Sequence, residues 1–476
     1  MPKFYVTAPI FYPNADLHLG HAYTTVLCDV LARSARLQGK ETFFLTGNDD
    51  NATKVAQVAQ ALNLTPKEFV DEQAQKFATF YQQLDISADD FIQTSDQRRH
   101  WPGAIKLWRQ LADAGDIEKR SYKGLYCVGC ESFKTEKDLV DGLCPDHHTK
   151  PEEVEEENYF FKLSKYTHTI AKKIESDELK VIPETRKNEI LSFLKQEAQD
   201  ISFSRPTDKV LGWGIPVPGD STQTMYVWCD ALTNYISALG YGSEDEKLFD
   251  TFWPADLHVV GKDISRFHAV IWPAMLLSAG LPLPKNILAH GFITSGGMKM
   301  SKTVGNVIDP LKVIADYGAE ALRYFLVRHM NVGEDSDFTM ERFKEAYNAG
   351  LANGLGNLVS RVMRMAEDNL EQAPEITDNT IPKEFFELFN NFDFNKATEL
   401  IWQKIADLDQ KIQNTEPFKL VKTDPEKGKE LIKELVMDLN VIAGMITPMM
   451  PQTSGIIKGL IKENKVPASP LFSRLD

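Results

Sequence analysis

Residues 3–47 read KFYVTAPIFYPNADLHLGHAYTTVLCDVLARSARLQGKETFFLTG, and this stretch decides the fold. Residues 3–8 are a short apolar run, and Pro9 and Pro13 bracket a loop after it. Tyr23, Val26, Leu27, Val30 and Leu31 then recur at helical spacing, and Gly39 marks the stop. Residues 41–47 form a second apolar run of strand length. Strand, helix and strand in this succession predict a parallel sheet with helices on its faces.

Further helices follow. Val55, Val58, Ala59 and Leu62 share a face, Thr65-Pro66 caps a helix carrying Phe69, Val70, Phe77 and Tyr81, and Ile105, Trp108 and Leu111 mark another. Beyond Lys119 the periodicity is lost among cysteines, glycines and charges. Residues 119–224 read as an insertion that splits the sheet domain into 1–118 and 225–294. Its most irregular part is about 124–150. Strand-length apolar runs return at 256–261 and 286–293, with an apolar helix between them. Residues 295–345 read as a loop-bearing connector. From 346 to 476 helical periodicity dominates: Leu400, Ile401, Ile405, Leu408 and Ile412 share one face, and Leu435, Val436, Leu439 and Ile442 share another. That is an α-helical bundle. The predicted class is α/β, a Rossmann-like catalytic domain split by an insertion and followed by the bundle.

The chain has 476 residues, 43% hydrophobic and 25% charged, which is globular composition with room for several domains. A net formal charge of −15 excludes bulk attraction to nucleic acid, so no DNA partner is expected and any RNA contact must come from local basic patches and shape. The five cysteines are an odd, sparse set, with three in residues 127–144. That is not a disulfide framework but a metal site in a reducing compartment. No basic segment followed by an apolar core opens the chain, so no leader is expected. The most apolar stretch, 267–284, is interrupted by His268, Pro273 and Pro282, so no membrane span is expected. The expectation is a cytoplasmic protein.

Two constellations carry chemistry. His18-Leu19-Gly20-His21 sits where the first strand gives way to a helix, so both imidazoles lie on one face at an N-terminus that attracts anions. Gly20 lets a flat base or a phosphate approach the backbone. Met298-Lys299-Met300-Ser301-Lys302-Thr303 follows Ser295-Gly296-Gly297, giving a cationic loop able to reach phosphates. A lone H-x-G-H or K-x-x-K is commonly an ordinary surface feature. Both in this order, on opposite halves of a split parallel sheet, are not.

This pair resembles the HIGH and KMSKS motifs of class I aminoacyl-tRNA synthetases, and the resemblance to their methionine-specific branch runs over nearly the whole chain. Ala8 to Asn14, Tyr226-Val227-Trp228-Cys229-Asp230-Ala231-Leu232, Val260-Gly261-Lys262-Asp263-Ile264 and Phe267-His268 with Trp272-Pro273 carry it. It implies activation of L-methionine by ATP, with Mg²⁺, and transfer to tRNA(Met) bearing a CAU anticodon. His18, His21, Lys299 and Lys302 would be catalytic, and Gly20, Gly261 and Asp263 would join them around ATP. Ile10, Tyr12, Asp49, Trp228, Ala231, Leu232, Tyr235, Ile264, His268 and Trp272 would hold methionine, with Asp49 on its ammonium. An aromatic pocket suits a soft, polarisable thioether. Arg205 matches a family arginine near the substrate end of the insertion. Asn357, Arg361 and Phe418 would meet the anticodon, with Lys419, Lys422, Lys427 and Lys429 near Phe418. Read without the resemblance, Asn357 and Arg361 are surface residues and Phe418 is core. Two departures stand out: Asn51 replaces a family histidine, and Phe418 replaces a family tryptophan.

Cys127-x2-Cys130 and Cys144-x2-His147 have the spacing of a tetrahedral zinc knuckle, with His148 a rival for the fourth place. One structural Zn²⁺ per chain is the expectation. Relatives for Leu, Ile or Val carry a much larger editing insertion, and a cysteine enzyme carries a cysteine just before its HIGH motif. Neither feature is present. No appended dimerising domain is recognisable, so a monomer is expected.

Overall fold

The computed structural model describes residues 1–13, 17–127, 132–134, 136–145, 148–196, 199–300, 306–376 and 380–475. Its centre is a six-stranded sheet built from β1 (Lys3–Phe11), β2 (Glu41–Asn48), β3 (Asp90–Gln93), β4 (Lys180–Ile182), β5 (Leu257–Gly261) and β6 (Asn286–His290). The order is β3-β2-β1-β5-β6-β4, and every pairing is parallel. Strand order reverses between β1 and β5. Chain segments leave those two carboxyl ends in opposite directions, which opens a crevice there.

Both faces of the sheet are covered, as parallel sheets require. Side chains alternate along β2: Phe44 enters one hydrophobic core, while Phe43 and Leu45 enter the other. The first core holds α1 (Leu19–Leu37), with Val26, Leu27 and Val30 fully buried, and helix Pro66–Gln83 through Phe77 and Phe80. The second holds helix Trp101–Asp113 and the segments around Tyr235 and Trp272.

The segment expected as one insertion is interrupted. Residues 117–161 make an antiparallel sheet of Ile117–Cys127, Ser132–Lys134 and Glu152–Phe161, joined by Ile201–Ser202. Lys180–Ile182, however, returns to the central sheet as its edge beside β6. Three residues are too few for periodicity to announce a strand. The run expected as one strand over 286–293 ends at His290 and resumes as Ile293–Ser295 in a separate small sheet. A Cβ at Gly291 would lie 2.2 Å from the Glu334 carbonyl oxygen, so the backbone around Glu334 packs against the chain there too closely for any side chain. The apolar helix between β5 and β6 opens as a π-helix, Phe267–Ile271, before Trp272–Ser278.

The bundle is built from helices that include Asn357–Asn369, Phe394–Thr415, Pro425–Ile446 and Pro451–Glu463. Its core residues Leu358, Ile401, Leu435 and Leu439 belong to the same cluster as α1, so the bundle packs on the α1 face of the sheet. A fully buried guanidinium locks this junction. Arg323 donates to Asp29 of α1 (2.6 Å), to the Leu84 carbonyl (3.2 Å) and to the Met449 and Pro448 carbonyls (2.8 and 3.0 Å). A buried charge is tolerable only when paired and saturated in this way.

Candidate active site

The crevice is floored by the start of α1. His18 is its N-cap, in extended conformation, and its Nδ1 accepts the Gly20 N–H (3.0 Å). His21 Nδ1 accepts the His18 N–H in return (3.1 Å), so two histidines form a reciprocal capping box. An Nδ1 that accepts fixes the neutral tautomer with hydrogen on Nε2. Both rings therefore carry an Nε2–H donor, and their centroids are 3.9 Å apart. Burial, and then the neighbouring His18, push the His21 pKa well below its ordinary value, so that ring is neutral. Phe11 meets it edge-on at 4.6 Å. Gly20 has a nearer cause than the ligand approach expected from sequence: a Cβ there would lie 2.8 Å from His18 Cε1 and block the cap.

The far wall of the crevice is the end of β5. Asp263 folds its carboxylate over Gly261, where a Cβ would stand 2.6 Å from Oδ1. The end of β6 is tied to α1, because Thr24 Oγ1 and His290 Nε2 are 2.7 Å apart. The chain then enters the hairpin Ile293–Ser295 and Met298–Lys299, where Lys299 pairs through its backbone with Thr294. Lys302, with the rest of 301–305, lies outside the described residues. The base of the hairpin thus stands beside the helix that carries both histidines.

Next to the crevice, Ile10, Tyr12, Trp228, Leu232, Tyr235, Ile264 and Trp272 fall into one hydrophobic cluster. Ala231 and His268 are buried as well, and Ile10, Tyr12 and Ile264 remain half-buried. Trp228 stacks on Phe267 with centroids 3.7 Å apart. His268 Nδ1 lies 2.9 Å from the Ile264 carbonyl and must donate to it, so its Nε2 accepts the Tyr235 hydroxyl (2.7 Å). Burial pushes His268 down to about 4, which keeps it neutral. The Tyr235 hydroxyl spends its only proton on His268, so toward a ligand it is an acceptor. Asp49 follows the end of β2, buried, with its N–H on the Phe11 carbonyl (2.9 Å).

Several residues that shape this site carry no sequence signal. Tyr5 donates its hydroxyl to the Tyr235 carbonyl (2.7 Å), and Thr7 Oγ1 meets His258 Nδ1 (2.7 Å). Asn51, the departure from the family histidine, donates to the Thr94 carbonyl (2.9 Å) and to Asp230 (2.6 Å). Asp230 also holds His100 (2.5 Å), which reaches Ser237 (2.7 Å). This buried chain ties the loop bearing Asp49 to the helix bearing Trp228 and Ala231. Phe267 and Asp230 were within reach, since both stand in recognisable strings, and Asn51 was already marked by its departure from the family.

Elsewhere, Arg205 is buried with its guanidinium 3.8 Å from the Tyr126 ring centroid and on Glu156 (3.2 Å). It lines a small cavity with Asn51, Trp213 and Tyr226. Cys127 and Cys144 are both buried, while Cys130 and His147 lie outside the described residues. Among the described residues no cluster of three or more metal-ligating side chains occurs. In the bundle, Asn357 is exposed at the start of its helix, and Arg361, one turn on, pairs with Asp409. Phe418 is 43% exposed and so is not core, and the Lys419 ammonium stands 5.9 Å from its ring centroid.

A family model described as tRNA synthetases class I (M) matches residues 4–154 and 147–363. The methionine–tRNA ligase of Clostridium acetobutylicum is 43% identical over 472 residues, covering 96% of this chain and 73% of that one. That of Thermotoga maritima is 41% identical over 470 residues, covering 95% and 74%. Among solved structures, Mycobacterium tuberculosis methionyl-tRNA synthetase in complex with methionyl-adenylate superposes with a TM-score of 0.92 at 35% identity, covering 100% of both chains.

Proposed function

This chain belongs to the methionine-specific branch of the class I tRNA synthetases, and from that premise we propose how its own residues divide the work. It activates L-methionine with ATP to methionyl-adenylate and pyrophosphate, then transfers methionine to the 3′ end of tRNA.

In the first step a carboxylate oxygen of methionine attacks the α-phosphorus, and the bond to pyrophosphate breaks. Negative charge grows on the phosphate oxygens. His18 and His21 meet that charge with their Nε2–H groups at the positive end of α1. Lys302, with Lys299, brings cationic charge from the hairpin side. Gly261 and Asp263 receive the ribose, and Mg²⁺ accompanies ATP. Asp49 pairs with the ammonium, and the cluster around Trp228, Tyr235, His268 and Trp272 encloses the thioether. Excluding water there protects the mixed anhydride from hydrolysis. In the second step a ribose hydroxyl at the tRNA 3′ end attacks the acyl carbon and AMP leaves. Holding both reactants together supplies much of the rate.

The observation that carries this reading is the paired-histidine cap. Both Nδ1 atoms accept inside the helix start, so both rings carry their hydrogen on Nε2 at the point where the sheet order reverses.

Asn357, Arg361 and Phe418 form the anticodon end of the reading, for tRNA(Met) with CAU. An exposed ring beside a lysine suits stacking on an unpaired base. One structural Zn²⁺ belongs in the knuckle, on Cys127, Cys130, Cys144 and either His147 or His148. Two buried thiols and the turn that places the His148 N–H on the Cys144 carbonyl (2.8 Å) support it. Four ligands leave no place for water, so the ion would hold the fold and take no part in catalysis. No helix among the described residues is long and apolar enough to cross a membrane. We read the chain as a cytoplasmic monomer, which light scattering tests.

The deciding experiment is amino-acid-dependent pyrophosphate exchange into ATP across all twenty amino acids. Methionine alone should support it. Exchange with leucine or isoleucine at a comparable rate, or none with methionine, overturns the reading.

A further inference from the structure

The hairpin that leads to Lys302 is a slight structure. Ser295 pairs with Met298 and Thr294 with Lys299, around Gly296 and Gly297 at φ +63 and +73. Two positive φ values in succession suit a primed two-residue turn, and only glycine adopts them without strain. A two-stranded hairpin is marginal alone and needs a third strand or a packed neighbour. It has one: Ser336–Asp337 runs parallel to it, with Ile293 beside Ser336 and Thr294 beside Asp337. The Ser336 N–H donates to the Phe292 carbonyl and the Phe338 N–H to the Thr294 carbonyl, both at 2.9 Å. The close approach at Gly291 seats this brace against the end of β6.

Two carboxylates two residues apart at the brace reach in different directions. Asp337 Oδ1 accepts the Thr294 hydroxyl (2.9 Å) and the Gly297 N–H (2.8 Å), so it grips the turn itself. Asp335 takes the Lys262 ammonium at 2.7 and 2.8 Å. Lys262 stands between Gly261 and Asp263 at the end of β5. The pair is partly exposed, so its own contribution is small and its value is geometric. The brace therefore touches both segments assigned above to ATP.

We propose that Asp337 is a positioning residue for ATP: it sets the height of the hairpin that carries Lys299 above the ribose end of the site, with Asp335 and Lys262 fixing the brace to that end. The proposal rests on the reading of this hairpin as the phosphate side of the site. A displaced hairpin holds its cationic charge farther from the ATP phosphates and so weakens ATP binding, while the methionine pocket on the other side of the crevice is untouched.

The test compares Asp337→Ala, Asp337→Asn and Thr294→Val by two measurements. Hydrogen exchange over residues 291–300 reads the hairpin without substrates, and pyrophosphate exchange reads KM for ATP and for methionine. Asp337→Ala should speed exchange at the turn and raise the ATP KM about tenfold, with the methionine KM within about twofold. Asp337→Asn keeps an acceptor oxygen and should return the ATP KM to within about threefold. Thr294→Val removes one of the two donors and should fall between, and it serves if Asp337→Ala does not fold. Unchanged hairpin protection in the alanine variant, or lost protection with an unchanged ATP KM, overturns the proposal. Absence of methionine-dependent exchange in the unmodified chain would instead remove the reading of the reaction, and the hydrogen-exchange measurement would still judge the brace.

Discussion

Asp50 is the most informative residue to neutralise. It is fully buried beside Asp49. Its Oδ2 accepts from the Ser95 hydroxyl (2.7 Å) and the Gln93 amide (3.1 Å), while its Oδ1 meets no partner among the described residues. Burial raises its pKa from 3.8 to about 7, against the lowering effect of Ser95 and Gln93. A carboxyl raised in the folded state contributes stability that is fully present below its unfolded value and lost as pH rises through the folded one. The window therefore runs from about pH 4 to about pH 7, a span of roughly three pH units. At about 1.4 kcal/mol per unit the native state loses up to about 4 kcal/mol across it. Asp50→Asn keeps an oxygen for Ser95 and Gln93 and does not ionise. The variant should be more stable than the parent chain at pH 8 by up to about 4 kcal/mol, with the difference vanishing near pH 4. Urea midpoints for the two chains at pH 4, 5, 6, 7 and 8 measure it. The comparison is made between chains at each pH, because a multidomain protein need not unfold in two states. Parallel midpoint curves for the two chains, or a variant weaker than the parent at pH 8, would refute the reasoning. The substitution leaves Asp49 itself in place, so the methionine KM at pH 8 should change little.

Three further outcomes follow from the same geometry. Tyr235→Phe leaves His268 Nε2 buried without its donor, which costs about 1–3 kcal/mol. The melting temperature should fall and the methionine KM rise with the ATP KM constant, and an unchanged methionine KM counts against the pocket assignment. Phe418→Ala should lower aminoacylation kcat/KM for tRNA by about 5- to 150-fold, from a stacking contribution of about 1–3 kcal/mol per base. Pyrophosphate exchange should not move, and equal loss in both assays contradicts an anticodon role. Metal analysis of the purified chain should find about one zinc per chain, and Cys144→Ser should lose it. Full zinc retention in that variant removes Cys144 from the ligand set.

Much of this molecule is written locally. The alternation and helical spacing over residues 3–47, the cap at Thr65, the glycines at 296 and 297 and the amphipathic faces of the bundle act within a few residues of themselves. One chain therefore shows the sheet, the two motifs and the helical end without coordinates. The rest depends on groups far apart in sequence. Asn51 and Asp230 lie 179 residues apart, and Arg323 and Asp29 lie 294 apart. Neither partner alone reveals that it is buried or what satisfies it. The edge strand at Lys180–Ile182 exists only because β6 offers it a ladder. The His18 and His21 tautomers are set locally by the cap, but the tautomer of His268, the neutrality of His21 and the raised pKa of Asp50 come from hydrogen bonds and lost hydration that only packing creates. Periodicity and turn chemistry are properties of short segments, whereas desolvation is a property of the assembled interior, so the ordering of the chain was legible in its letters and the charge states of the site were decided by the fold.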